Sequence, residues 1–487
     1  MSGYNVDKKY KLLIGGEWVA AADTYDIVDP NTTKLVGRAP EASVAQSTDA
    51  AAAAKAALKQ WKRTPMEERC ALVGKIADAY EKRMGALVPL VQAETGSTIN
   101  VAESMQVPIS VERFRYYSRP YIVDEPQVPY AMNATALGPA GLQNAMMFRQ
   151  PVGVVACITP YNFPLTNVAG KIAPALAMGN TVVIKPAPQD PLALLELGEI
   201  LDEVGLPPGV VNIITGKGPE AGSALVDSRD VDMISFTGSS VVGARIFEQG
   251  GKTMKRLLME LGGKGALVMT HDCNVQLAVA GIASVWAFHA GQICTAPTRV
   301  ICHRSIYQQT VDLLALTARS LKVGDALARD TIVGPLITDI QRGRVEALVA
   351  QGVSEGATLV VGGDRPDLPG YFYNPTLLAD CTPSNSAVRE EFFGPVVVVV
   401  PFDDEDEAIA IANDSDYGLF SYVFCGDLAR GLTIAKQIES GNVAVNGVQP
   451  HMHAPFGGFK MSGIGRDRGV HGLYAYSEIQ TVNWPAV

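Results

Sequence analysis

No segment of this 487-residue chain approaches the ~20 consecutive apolar residues of a membrane span. The opening MSGYNVDKKYKLL is too polar for a secretion signal. Both absences point to a soluble, cytoplasmic protein. Basic residues never cluster: 40 Lys and Arg against 50 Asp and Glu leave a net charge of −10, a poor footing for nucleic-acid binding. The seven cysteines, Cys70, Cys157, Cys273, Cys294, Cys302, Cys381 and Cys425, form no CxxC pair. Odd in number and scattered, they argue against a disulfide framework or a zinc site and for a reducing compartment. The six histidines include no HExxH, and the pair His451 and His453 lacks a third ligand, so no metal is expected.

What is present reads as α/β. Residues 40–120 are mostly helical. ASVAQSTDAAAAAKAALKQW sets Ser and Thr ahead of an alanine-rich run, and PMEERCALVGKIADAYEKRMGALVPLVQAETG repeats apolar residues at helical spacing up to Gly96. From residue 151 the period changes. VGVVACI, TVVIKP, VVNIIT and DMISFTG are short β-branched runs separated by helix-like segments, the sign of βαβ units around a buried parallel sheet. A second series follows residue 260, with strands expected at GALVMT, TRVICH, PVVVVVPF, LFSYVFC and GNVAVN. Two pieces fit neither series: residues 127–150, a long hairpin around Gly138-Pro139, and the tail AYSEIQTVNWPAV. Strands that cannot bury themselves predict pairing with a second subunit.

Five stretches carry chemistry. In AFHAGQICTAPTRV a single cysteine, Cys294, stands between Gly-Gln-Ile and a Thr-Ala-Pro turn. A lone cysteine is by default a buried, inert residue. FTGSSVVG puts Gly238 at a strand-to-helix turn with Ser239 or Ser240 to cap the helix, a setting that favours a phosphate. MELGGKGA places Glu260 before two glycines, which suits a mobile general base and equally a cap or an ion pair. TPYNFPLTN holds Asn162 between aromatic residues and prolines, as an oxyanion donor or a plain turn residue. REEFFGPV sets Glu391 and Phe393 before a Gly-Pro break, and APFGGFKMSGIGRDRG is too glycine-rich for ordinary core. GKGPEAG misses the dinucleotide fingerprint, and GGKT lacks the upstream glycine of a P-loop.

Taken in order, PYNFP, VVIKPAP, FTGSSVVG, MELGGK, GQIC, EEFFGP and PFGGFKMSGIGR resemble the aldehyde dehydrogenase superfamily over nearly the whole chain. The resemblance implies an α/β fold of two Rossmann-like parallel-sheet domains plus a small β oligomerisation element. Residues 1–126 and 151–258 would bind the cofactor, 259–450 would form the catalytic domain, and 127–150 with 471–487 would hold a homodimer or homotetramer together. It implies Cys294 as nucleophile, Glu260 as general base and Asn162 as oxyanion donor. Lys185 would bond the adenosine ribose, Gly238 and Ser239 would face the pyrophosphate, Glu391 would hold the nicotinamide ribose and Phe393 would pack on the nicotinamide. Thr159 and Pro160 complete the expected cofactor site, while Tyr161, Phe163, Phe288, Ile293, Thr295 and Phe456 would line the substrate tunnel. Cys302, in TRVICH, reads as a structural strand residue.

The implied reaction oxidises an aldehyde to its carboxylic acid with NAD(P)+. Cys294 forms a thiohemiacetal, then a thioester that Glu260-activated water hydrolyses. The environment of Cys294 is expected to raise its thiolate fraction. A CoA-acylating semialdehyde dehydrogenase is the near alternative, disfavoured by the presence of Glu260. A non-catalytic binding protein of the same fold is the distant one. Family members often carry a glutamate three residues after the ribose-binding lysine; here that place is Pro188, so NAD and NADP both stay open. His289 replaces a common asparagine ahead of GQIC. Asn167 and Gly170 stand where some members carry bulky residues, which implies a roomy pocket without a charged anchor, and hence neutral, even aromatic, aldehydes.

Overall fold

The computed structural model describes residues 3–136 and 138–485. Five strands stand side by side and parallel in the order Val211–Ile213, Thr181–Lys185, Val154–Ile158, Met233–Thr237, Arg256–Glu260, all but the last carrying β-branched residues. The strand order reverses between Val154–Ile158 and Met233–Thr237, the switch point at which open α/β sheets bind ligands. Helix Pro164–Met178 follows the first of these strands, and its whole length is buried. Leu12–Ile14 and Glu17–Val19 extend one edge antiparallel, and Gly463–Ile464 closes the other against Met259 and Glu260, giving eight strands. Glu260 therefore belongs to the last long strand of this first sheet.

A second, seven-stranded sheet runs Thr358–Val361, Thr376–Ala379, Val396–Phe402, Arg299–His303, Ala266–Met269, Phe420–Phe424, Asn442–Val445. All its neighbours are parallel except the first pair. The valines of Val396–Phe402 have almost no exposure, as a sheet covered on both faces requires. Cys302 is buried in this sheet, as its sequence setting implied.

The helical region reads largely as expected. Ser43 caps Val44–Trp61 with a reciprocal Gln46 capping box, and Gly96, at φ 66°, ends Met84–Thr95. The run of residues 66–95 is two helices broken at Arg83. The tail and the hairpin differ from expectation. Ser477–Pro485 pairs with Gly141–Pro151, which pairs with Glu125–Met132, so the two segments cover each other within one chain. The resulting three-stranded sheet still exposes Val128, Tyr130, Leu142, Ile479 and Trp484.

Candidate active site

The carboxyl edge of the first sheet gathers the residues expected around a cofactor. Thr159 and Pro160 follow Val154–Ile158, and the Thr159 hydroxyl is buried without a partner among the described residues. Ser239 caps helix Ser240–Gly251, accepting from the Val242 N–H at 3.4 Å. The Gly238 N–H donates to the Glu260 carbonyl at 3.1 Å, and a Cβ on Gly238 would lie 2.5 Å from the Phe236 ring. Lys185 Nζ donates to the Gly216 carbonyl at 3.1 Å; burial lowers this amine to about 8, while Glu41 and Asp190 push it back up. From the second unit, Glu391 Oε1 accepts from the Gly263 N–H at 2.8 Å, and the Phe393 ring meets Tyr161 edge-on at 5.8 Å.

Cys294 reaches this edge on a loop that only small residues and a left-handed backbone permit. His289, Ala290 and Gly291 all take positive φ, 52°, 51° and 76°. A side chain on Gly291 would overlap the Gly394 carbonyl. A Cβ on Gly263 would sit 2.5 Å from the Cys294 carbonyl, and one on Gly262 would sit 2.6 Å from Glu391 Oε2. The loop is stapled by Gln292, whose role the sequence reading missed. Its amide donates to the His289 carbonyl at 3.1 Å, and its Oε1 accepts from the Ile337 N–H at 2.9 Å. Asn162 Nδ2 donates to the Gln292 carbonyl at 2.8 Å, and Asn162 Oδ1 accepts from the Phe163 N–H. One of the two N–H bonds of that amide is thus left for another acceptor. Phe163 stacks on Phe288 at 5.6 Å, and His289, pushed down to about 4 by burial, is neutral beside them.

The electrostatics oppose the expected thiolate. Burial pushes the Cys294 thiol up to about 12, with the Glu260 and Glu391 carboxylates adding to it and Arg468 opposing. Glu260 is itself raised well above the usual carboxylate range by burial, then by Asp467, against Lys171, Arg468 and Arg466. Both its oxygens are buried and meet no hydrogen-bond partner among the described residues. The thiol therefore holds its proton at rest near neutral pH, and Glu260 is shifted in the same direction. Behind Glu260, buried Lys171 donates to Ser235 at 3.1 Å, and Ser235 shares a 2.9 Å hydrogen bond with Tyr476.

Residues 18–482 match the model of the Aldehyde dehydrogenase family. The chain belongs to that family. Among its curated relatives, 3-succinoylsemialdehyde-pyridine dehydrogenase of a Pseudomonas species is 36% identical, covering 96% of this chain and 97% of the relative. Chloroplastic betaine aldehyde dehydrogenase of Beta vulgaris is 37% identical over 97% of this chain and 95% of its own. Betaine aldehyde dehydrogenase of Staphylococcus aureus, solved with NAD+, superposes with a TM-score of 0.93 at 34% identity, covering 97% of this chain and 95% of that one. The NAD+ complex of aldehyde dehydrogenase from Bacillus cereus gives 0.92 at 36% identity, covering 99% and 97%. As a member of the family, this enzyme oxidises an aldehyde with NAD or NADP.

The substrate side of this aldehyde dehydrogenase departs from expectation. Phe456 is buried, and the Thr295 carbonyl accepts from the Tyr422 hydroxyl at 2.5 Å. The side chain of Asn167 turns back to the Phe163 carbonyl at 2.9 Å. Gly170 leaves no empty room, because the Arg113 guanidinium fills it and a Cβ would overlap Arg113 Nη1. The idea of a pocket without charge is therefore corrected. Arg113 lies against Gly170, and the Arg468 guanidinium lies 4.1 Å from the centre of the Phe456 ring.

Proposed function

We propose that Cys294, Glu260 and Asn162 carry out hydrolytic aldehyde oxidation. The observation that supports this most is the 2.8 Å bond from Asn162 Nδ2 to the Gln292 carbonyl. It fixes the amide beside the loop that bears Cys294 and leaves its second N–H free. As the aldehyde carbonyl meets the thiol, Glu260 is the residue to take the Cys294 proton once it is itself deprotonated. The sulfur bonds to the carbonyl carbon, and the oxyanion is met by the Asn162 amide and the Cys294 backbone N–H. One such donor is worth about 10²–10³ in rate. Bound NAD(P)+ supplies the hydride acceptor. Glu260 then releases the thiol's proton to solvent and draws one from water, which attacks the thioester carbon; the C–S bond breaks, Cys294 leaves as the thiolate and takes up a proton, and the carboxylic acid leaves.

The donor set at the switch point fits a dinucleotide. Thr159 offers a buried, unpaired hydroxyl, and helix Ser240–Gly251 offers an exposed N-terminus. Lys185 and Glu391 would hold the two riboses, Gly238 and Ser239 would face the pyrophosphate, Pro160 would shape the strand exit, and Phe393 would pack on the nicotinamide. On this reading 1–126 and 151–258 bind cofactor, 259–450 carry Cys294, and 127–150 with 471–487 bring subunits together through the exposed apolar side chains of the three-stranded sheet. Seven unpaired cysteines suit the reducing cytoplasm.

Rapid mixing of Glu260→Gln tests the assignment. A burst of one equivalent of reduced nicotinamide followed by very slow turnover is expected, as the acyl group accumulates on Cys294. Full steady-state activity in that variant would refute the role of Glu260. Wild-type turnover that requires coenzyme A would place the enzyme in the acylating class.

A further inference from the structure

A shallow open cleft is lined by Arg113, Tyr116, Gly170, His453, Asp467 and Arg468. Its charges are unbalanced. Arg113 Nη1 lies 3.5 Å from Asp467 Oδ2, and both side chains are 12% exposed. The other oxygen of Asp467 accepts from the Arg468 backbone N–H at 2.7 Å. The acid is thereby spent on Arg113 and on the backbone. The Arg468 guanidinium has no acceptor for Nε or Nη1, both sealed from water, among the described residues. Its backbone is left-handed at φ 64°, and its head rests on the Phe456 ring. Glu112 is half-exposed, with its Oε1 3.8 Å from His453 Nε2.

A buried, unpaired guanidinium is costly in isolation and strongly favours an anion that brings its own oxygens. Arg468 rests on the Phe456 ring, a Cβ on the residue after Phe456, Gly457, would sit 2.9 Å from Glu260 Oε1, and Cys294 packs against the buried cluster that includes Phe456. The chain as a whole is acidic at −10, so this positive corner is local rather than a property of the surface.

We propose that the physiological substrate is an aldehyde bearing a carboxylate at its other end, with Arg468 as the anchor for that carboxylate and Arg113 flanking it. The proposal rests on Cys294 as the nucleophile, with the aldehyde end at its sulfur on the other side of Phe456 from Arg468. A short spacer joins the two ends, because Phe456 and Gly457 alone bridge Arg468 to Glu260. The role of Gly170 follows: it is the gap through which Arg113 reaches the cleft.

The test compares succinic semialdehyde with its methyl ester, which matches it in shape but carries no charge, in the wild type and in Arg468→Gln and Arg468→Lys. The wild type should favour the acid. In Arg468→Gln the ratio of kcat/KM for acid over ester should fall by about ten- to a hundredfold, the range of one charge-assisted hydrogen-bonded pair, mainly through KM. Arg468→Lys should restore part of it. A wild type that prefers the ester overturns the proposal. So does an equal loss on both substrates in Arg468→Gln, which would make Arg468 a support for Cys294 and Glu260. Failure of the wild type on every aldehyde would overturn the assignment of Cys294, on which the proposal rests.

Discussion

Cofactor-free enzyme should be alkylated slowly at Cys294, and its rate should rise about tenfold with each pH unit without levelling off. The thiol stands at about 12, against about 8.5 for an unperturbed cysteine. Near pH 7.5 this gap of ~3.5 units lowers the thiolate fraction by about three orders of magnitude. A more basic thiolate attacks faster, with a Brønsted slope of about 0.4–0.5, which returns roughly half of the loss. Iodoacetamide should therefore react about a hundredfold more slowly than with an ordinary thiol. The readout is the mass of the peptide carrying Cys294, which is the one half-exposed cysteine among seven, the other six being buried. After burial, Glu260 is the largest cause of the upward shift. Glu260→Gln should move the rate curve to lower pH. A plateau below about pH 9 would mean that the thiolate is already formed there, and the reasoning from burial would be wrong.

Asn162→Ala should lower kcat by about 10²–10³ while fluorescence titration still shows cofactor binding. Cys294→Ala should abolish oxidation, and Cys302→Ala should keep it; the reverse pattern would move the nucleophile. Light scattering at micromolar concentration should give a multiple of the 51.7 kDa chain mass, and Ile479→Asp with Val128→Asp should shift it toward the monomer. A monomeric wild type would remove the oligomer reading.

The two sheets were legible because their strands are continuous β-branched runs bounded by turns. VGVVACI, TVVIKP and PVVVVVPF each became a buried parallel strand. The edge strands Leu12–Ile14 and Glu17–Val19 were not, because three residues hold no period to read. The pairing of Ser477–Pro485 with Gly141–Pro151 joins segments more than three hundred positions apart, and no local pattern records it. Gln292 was visible only as a letter of GQIC. Its partners at Pro335 and Ile337 are supplied by a distant loop. The direction of the Cys294 shift was misread for the same reason. Proximity of carboxylates and depth of burial are properties of the folded site, and an unperturbed thiol value is only a starting point.

Gly170 shows how the same residue can carry opposite meanings at the two levels. In the sequence it is a missing side chain, and a missing side chain in a tunnel reads as space for a larger, neutral substrate. In the fold that space is filled from helix Val107–Tyr116 by Arg113, and Arg468 approaches the same cleft from the glycine-rich segment. Once Asp467 is shared between Arg113 and the backbone, Arg468 alone lacks an anion. The glycine therefore admits a cation, and the proposed substrate is accordingly small and charged. The proposed catalytic residues could be placed along the chain because their motifs are contiguous. The specificity could not, because it arises from three segments that meet only in the folded protein.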